Sequence, residues 1–289
     1  MTIARPASVR RFDDGVDAWE MVTVAPPVAL APWVLGYCDY TERTGSFRAR
    51  RELPSTEYVV IVNLGPTVEL VGGDGRLVRV AKGEGFAAGA HLRPAISRSQ
   101  GEQAGIHLFV TARGLAQIAG VSVAELTNRV VPLGDLLGPP AARLGQRLGT
   151  APDAIARFEI LDRLVSERIT RGRDGCREAH WAAARLDRTP DMRVSDLARE
   201  IGWSRKHFVD RFRREIGVTP RDYLRLKRFE RLTRAIGREP SAPLGALAAR
   251  LGYYDQAHMN REVRALTGES PGALRAAYLP AGGGVLESR

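Results

Sequence analysis

The sequence predicts an α+β protein in three parts. These are a β-rich, barrel-like N-terminal domain over residues 1–135, a helical linker over 136–176, and an all-α C-terminal domain over 177–280 with two helix-turn-helix units; a flexible tail follows at 281–289. Three observations lead there. Short β-branched runs broken by glycine fill the first part of the chain, the apolar spacing turns helical from about Pro139, and a block of residues near the end recurs at a fixed offset of 50 positions.

The β-rich reading starts at Tyr58-Val59-Val60-Ile61-Val62-Asn63-Leu64, a β-branched run ended by Gly65-Pro66. Thr67–Val71 and Leu77–Val80 are short apolar runs joined by Gly72-Gly73-Asp74-Gly75, a hairpin signal. Gly83 and Gly85 mark the next turn, and Ile106–Val110 is a further strand. Short strands at this spacing suit a small barrel or a sandwich.

Helices follow. Thr111–Ala119 reads as a short helix, and Ser122-Val123-Ala124-Glu125 fits a capping box that opens another. Leu144 and Leu148 form an i, i+4 pair, and Ile155, Phe158, Leu161 or Asp162, Val165 and Ile169 continue an apolar stripe. Arg171-Gly172-Arg173-Asp174-Gly175 reads as a linker into the last domain.

The repeat carries the functional reading. Leu197, Ala198, Ile201, Gly202 and Trp203 recur as Leu247, Ala248, Leu251, Gly252 and Tyr253. Leu197 and Ile201 share a helical face, Ala198 is small where a second helix crosses, and Gly202 ends the first helix in a left-handed conformation that glycine adopts at least cost. Ser204 and Asp255 are placed to cap the following helices. Phe208 with Phe212, and Met259 with Val263, are i, i+4 anchors that pin those helices down. Opposite the anchors, each second helix presents a largely polar face: Ser204, Arg205, Lys206, Val209, Asp210 and Arg213 in the first unit, and Gln256, Ala257, Asn260, Arg261 and Arg264 in the second. Arginine can bridge guanine O6 and N7, and Asn or Gln can bridge adenine N6 and N7, so these two rows are the candidate DNA contacts. Asp210 would repel phosphate; it is expected to cap, to pair with Arg213 or Arg214, or to accept from cytosine N4. Thr219-Pro220 and Ser270-Pro271 open the helix after each unit. On the connecting helix, Arg225, Arg228 and Arg231 are either phosphate contacts or ordinary surface charge.

The charge distribution agrees with a polyanionic partner. The net charge is +10, yet residues 177–280 hold 21 Arg/Lys against 13 Asp/Glu, while the rest holds 22 against 20. The 40 Arg against 3 Lys reflect a compositional bias, which does not account for the asymmetry along the chain. There is no apolar run long enough to span a membrane and no signal-peptide pattern, so a cytoplasmic location is expected, with Cys38 and Cys176 as free thiols.

The pieces IGWSRKHFVDRFRREIGVTPRDYLRLKRFERL and LGYYDQAHMNREVRALTGESPGALR resemble the AraC/XylS family of transcription regulators in order and spacing, over about residues 178–280. As in that family, the gap from the glycine to the first anchor is one residue longer in the second unit, Gly252 to Met259, than in the first, Gly202 to Phe208. Ala257, Met259 and Val263 depart from the family's small hydroxyl and two aromatics. The resemblance implies a chain that sets two recognition helices in successive major grooves of double-stranded DNA, about 34 Å apart. It leans towards an activator, with RNA polymerase as a partner if that holds. It also implies a cupin-like sensing domain, which GFAAGAHLRPA and LTNRVVPLGDLLG resemble.

For a small-molecule effector the candidate contacts are Trp33, Tyr37, Tyr58, Phe86, His91 and Phe109, with Tyr40 as a further pocket aromatic. The alternatives are a ligand-independent binder in which residues 140–170 form a homodimer, and, further down, a cupin-type enzyme fused to a DNA-binding domain. A catalytic cupin needs clustered His and Glu ligands. Here His91 and His107 are the only histidines in the first 170 residues and lie 16 apart, so no metal, no other cofactor and no enzyme activity are expected.

Overall fold

The computed structural model describes residues 5–171, 175–189, 192–278 and 285–287. The first part holds β1 (Ala7–Asp13), β2 (Asp17–Val24), β3 (Val34–Thr44), β4 (Ala49–Glu52), β5 (Tyr58–Asn63), β6 (Val68–Val71), β7 (Leu77–Val80), β8 (Gly85–Ala88), β9 (Ala95–Arg98), β10 (Glu102–Val110) and β11 (Val130–Pro132). These strands form two antiparallel sheets. One runs β1-β2-β3-β10-β5-β8-β11; the other runs β4-β9-β6-β7, with β12 (Val285–Leu286) on the outer edge of β4.

The barrel-like expectation is corrected here: among the described residues no ladder joins one sheet to the other, so two open sheets face each other. Closure fails where pairing partners run out. Pro132 ends β11 without a backbone donor, and β1, with its run of polar residues, leaves the opposite edge to solvent.

Side-chain alternation divides the larger sheet. From β5, Tyr58, Val60 and Val62 enter the core beneath the helices, and so do Ile106, Leu108 and Val110 from β10. Val59 and Ile61 point to the other side, towards the smaller sheet. A strand covered on both faces needs apolar residues at every position, which explains the unbroken run at residues 58–62.

The helices α1 (Ala112–Ala119), α2 (Leu133–Leu137), α3 (Pro140–Thr150) and α4 (Ala154–Arg171) cover the first face. Thr111 caps α1, and Ser122 makes the expected capping box with Glu125 over a 3-10 turn. The apolar stripe of α4, Phe158, Leu161 and Val165, is fully buried against the chain's own sheet, where Phe158 meets the Tyr37 ring at 5.5 Å. Arg157 pairs with Asp39 at 2.6 Å and Asp162 with Arg5 at 2.6 Å. Phe158, Leu161 and Val165 of the stripe are thus occupied within one chain, while Ile155 is exposed. Residues 172–174 of the linker lie outside the described residues.

The C-terminal part consists of α5 (Arg177–Arg188), α6 (Val194–Ile201), α7 (Arg205–Ile216), α8 (Pro220–Arg238), α9 (Leu244–Arg250), α10 (Gln256–Thr267) and α11 (Pro271–Ala276). The core that starts under the sheet continues through Phe158, Leu186, Leu197, Phe208 and Phe212, so the first helix-turn-helix shares it. The second has its own core of Leu247, Met259, Val263 and Leu274, closed by Val285. The tail expectation changes accordingly. Within 281–289, Val285 is fully buried and β12 pairs with β4, because an apolar pair there can cover both a sheet edge and the second core.

Candidate nucleic-acid interface and interior cavity

The two repeat units match down to single hydrogen bonds. In α6–α7, Gly202 has φ +80°, Trp203 N donates to Ala198 O at 2.9 Å, and Ser204 Oγ accepts from His207 N at 3.2 Å. In α9–α10, Gly252 has φ +80°, Tyr253 N donates to Ala248 O at 3.1 Å, and Asp255 Oδ1 accepts from His258 N at 2.6 Å. The anchors Phe208, Phe212, Met259 and Val263 are fully buried. Phe212 also meets Tyr223 of α8 edge-on at 5.6 Å, which ties the first unit to the connecting helix.

The polar rows fall as read. Ser204, Arg205, Lys206, Asp210, Arg213, Gln256, Ala257, Arg261 and Arg264 are exposed, whereas Val209 and Asn260 are half-buried. Asn260 Oδ1 is enclosed without a hydrogen-bond partner among the described residues. The arginines of α8 turn inwards instead of towards a backbone phosphate. Arg228 grips Glu262 of α10 at 2.8 Å and lies 5.9 Å from the centre of the Tyr253 ring; Arg225 donates to Glu262 O at 3.3 Å and Arg231 to Lys227 O at 3.3 Å. Arg228 is therefore a clamp between the connecting helix and the second recognition helix.

The facing sheets enclose a cavity of about 420 Å3. Of the residues proposed for a ligand, Phe86, His91, Phe109 and Tyr40 line it. Trp33, Tyr37 and Tyr58 do not: Tyr37 and Tyr58 sit on the helix-covered face, and Trp33 lies under the Arg113 guanidinium, 5.0 Å from its ring centre. Polar groups that the sequence reading passed over join the wall. Arg50 stands between Glu42 at 3.0 Å and Glu52 at 3.1 Å, with Gln103 donating to Glu42 at 3.4 Å. His107 packs edge-on against Tyr40 at 4.6 Å and Phe109 at 5.6 Å. Burial, helped by the nearby Arg50, lowers the His107 pKa to about 4, and burial lowers that of His91 despite its bond to Gly89 O, so both rings are neutral near pH 7. Among the described residues no group of three or more His, Cys, Asp or Glu is arranged to hold a metal ion, and no helix is long and apolar enough to cross a membrane.

Residues 197–277 match the model of a helix-turn-helix domain. That segment is a helix-turn-helix DNA-binding domain. No curated protein matches the chain. Among solved structures it is similar to an apo variant of ToxT from Vibrio cholerae, at 9% identity over 83% of this chain and 97% of that one, with a TM-score of 0.50. That likeness shows a shared two-part fold. It is also similar to the C-terminal domain of AraT, a response regulator from Geobacillus stearothermophilus, at 18% identity over 35% and 85% of the two chains with a TM-score of 0.33. A third is the AraC-like transcriptional activator CuxR, at 18% identity over 78% and 80% with a TM-score of 0.29. The chain is a DNA-binding transcription regulator.

The helix-turn-helix domain is gripped by the N-terminal part. The end of α7 leaves carbonyls without helical partners, and three hydroxyls from the N-terminal part take them. Ser122 Oγ donates to Arg214 O at 2.9 Å, Tyr58 Oη to Ile216 O at 2.7 Å, and Thr127 Oγ1 to Gly217 O at 2.8 Å. Thr56 donates through its backbone N and its Oγ1 to Glu230 of α8 at 2.6 and 2.7 Å, and Arg51 pairs with Glu269, beyond α10, at 2.5 Å. Segment 51–58 thus reaches the DNA-binding domain at three elements while Glu52, Leu53, Ser55 and Glu57 line the cavity.

Proposed function

We propose that this protein reads a bipartite DNA site through the exposed rows on α7 and α10, and that occupancy of the cavity by a small molecule modulates that reading in the cytoplasm. In this reading residues 1–135 sense, 136–176 connect and 177–280 bind DNA. The observation that carries the DNA half is the repetition of the unit down to its cap and turn hydrogen bonds, with both rows of polar side chains left free of the core. Arg205, Lys206, Arg213, Gln256, Arg261 and Arg264 are the side chains with the reach and donor geometry to meet base edges or phosphate.

The sensing half rests on an interior cavity with aromatic walls whose rim is built from the same segment that holds α7 and α8. Selection of bound fragments from random duplexes by the purified full chain tests the first half. A pair of short conserved half-sites about one helical turn apart is expected, with affinity falling steeply as salt rises because bound counterions are released. Failure to retain any duplex at low salt would overturn it. A thermal-shift screen of the full chain with small molecules tests the second half, since a ligand that binds only the folded state raises the melting temperature.

A further inference from the structure

The cavity has a charge opposite to that of the molecule. The chain carries a net +10, yet the cavity wall holds the carboxylates of Asp14, Asp17, Glu42, Glu52 and Glu57 against the guanidiniums of Arg43 and Arg50. The Arg50 guanidinium is not free for an anion. Arg50 is already shared by Glu42 and Glu52, and Arg43 donates to Val16 O at 3.3 Å. An incoming carboxylate would have to displace one of two existing partners from Arg50 while facing the remaining acids.

Glu57 is the complementary case. It faces the cavity, and among the described residues its carboxylate has no ion pair. Burial and the like charges of Glu230 and Glu52 raise its pKa, against the lowering pull of Lys227 and Arg234 nearby. Around it the walls are aromatic: Trp19, Tyr40, Phe86 and Phe109 expose ring surface to the same space. Rings of this kind attract a cation through their negative faces, most strongly once water is excluded. Tyr40 Oη and both ring nitrogens of His107 make no hydrogen bond to a described residue, and they leave neutral donors and acceptors in the wall.

We propose that the cavity selects an amphipathic cation, with an aromatic or otherwise apolar body against Trp19, Phe86 and Phe109 and an amine or quaternary ammonium head beside Glu57 and Glu52. This rests on the reading of the cavity as an effector site and adds the chemical class of the effector.

The test is calorimetric titration of the full-length protein at pH 7 with three probes that share one apolar body: 2-naphthylmethylammonium, 2-naphthalenemethanol and 2-naphthoate. The ammonium is expected to bind about tenfold or more tighter than the carboxylate, with the alcohol between them. The comparison is weighted against the proposal, because nonspecific attraction to a chain of net +10 favours the naphthoate. Glu57→Gln, which keeps size and removes charge, should weaken the ammonium by about threefold or more and leave the alcohol unchanged. Glu52→Gln serves as a second variant. Naphthoate binding as tightly as the ammonium overturns the charge class and leaves the effector site standing. Ammonium binding that neither variant alters also overturns it, since the probe would then sit elsewhere. Binding of none of the three overturns both the class and the site.

Discussion

The hydroxyl of Tyr58, in the strand beside the cavity, donates to the carbonyl of Ile216, the last residue of the first recognition helix, at 2.7 Å. Both groups are buried, and the adjacent Glu57 faces the cavity. A helix end needs partners for its last carbonyls, so one strand of the N-terminal part completes a helix of the DNA-binding part. Burial and the nearby Glu230 and Asp187 charges raise the Tyr58 pKa, and the phenol keeps its proton across the ordinary working range.

Tyr58→Phe should therefore strand the Ile216 carbonyl without filling or emptying space. A buried acceptor left without its donor costs about 1–3 kcal/mol. The expected outcome is a lower melting temperature and faster amide exchange at the end of α7, with the secondary structure intact. Unchanged exchange at residues 213–217 would mean that Ser122 and Thr127 hold the helix end without Tyr58.

Arg228 gives a second prediction, because its partner decides its role. Paired with Glu262 and half-buried, it should behave as a structural clamp. A double-mutant cycle with Arg228→Ala and Glu262→Ala should yield a coupling energy of about 0.5–3 kcal/mol in stability. The dependence of DNA affinity on salt should keep its slope in both single variants, because neither removes a phosphate contact. A slope reduced by about one in Arg228→Ala alone would place this guanidinium on the DNA backbone.

How far the sequence revealed this molecule depended on how local each signal was. The turn of each unit rests on Gly202 or Gly252, a cap two or three residues later and anchors four apart, all within twenty positions, and it was read correctly. Arg228 and Glu262 are 34 positions apart, and nothing near either residue announces the pair. Val285 meets β4 across most of the chain, so its run of glycines and short apolar pair read as a tail. The cavity was half visible. In a sheet covered on both faces every position of β5 from Tyr58 to Val62 is apolar, so hydrophobicity does not tell Tyr58 from Val59, although strict alternation puts them on opposite sides. Tyr37 and Tyr40, an odd number of positions apart on β3, part in the same way, and only Tyr40 reaches the cavity. Arg50, Glu42 and Gln103 were passed over because a polar group inside a cavity looks in sequence like one facing water.

Arg261 is the residue of α10 best placed to read a base. It is exposed, lies between the capped start of the helix and Arg264, and has no ion pair among the described residues. Arg261→Ala should cost about 1–3 kcal/mol against the preferred base pair and less against the others, so selection from random duplexes would relax at one position of the site. An equal loss for every sequence would assign Arg261 to phosphate.

His107 supplies a prediction in pH. Burial holds its folded-state pKa at about 4, below the ordinary value of 6.5. The unfolded chain therefore takes up a proton before the folded chain does, and the stability present above pH 6.5 is lost progressively as pH falls towards about 4. His91, lowered in the same direction by burial, adds to the slope. His107→Gln, which fills similar space without titrating, should flatten the fall in melting temperature between these limits while leaving the acid loss from His91. An identical pH profile in the variant would mean that the ring keeps its ordinary value of 6.5 in the fold, so that below it a charge faces the cavity beside Arg50. That cavity would then attract anions more than its carboxylates alone indicate, and the probe series with naphthoate and its ammonium counterpart would read the change directly.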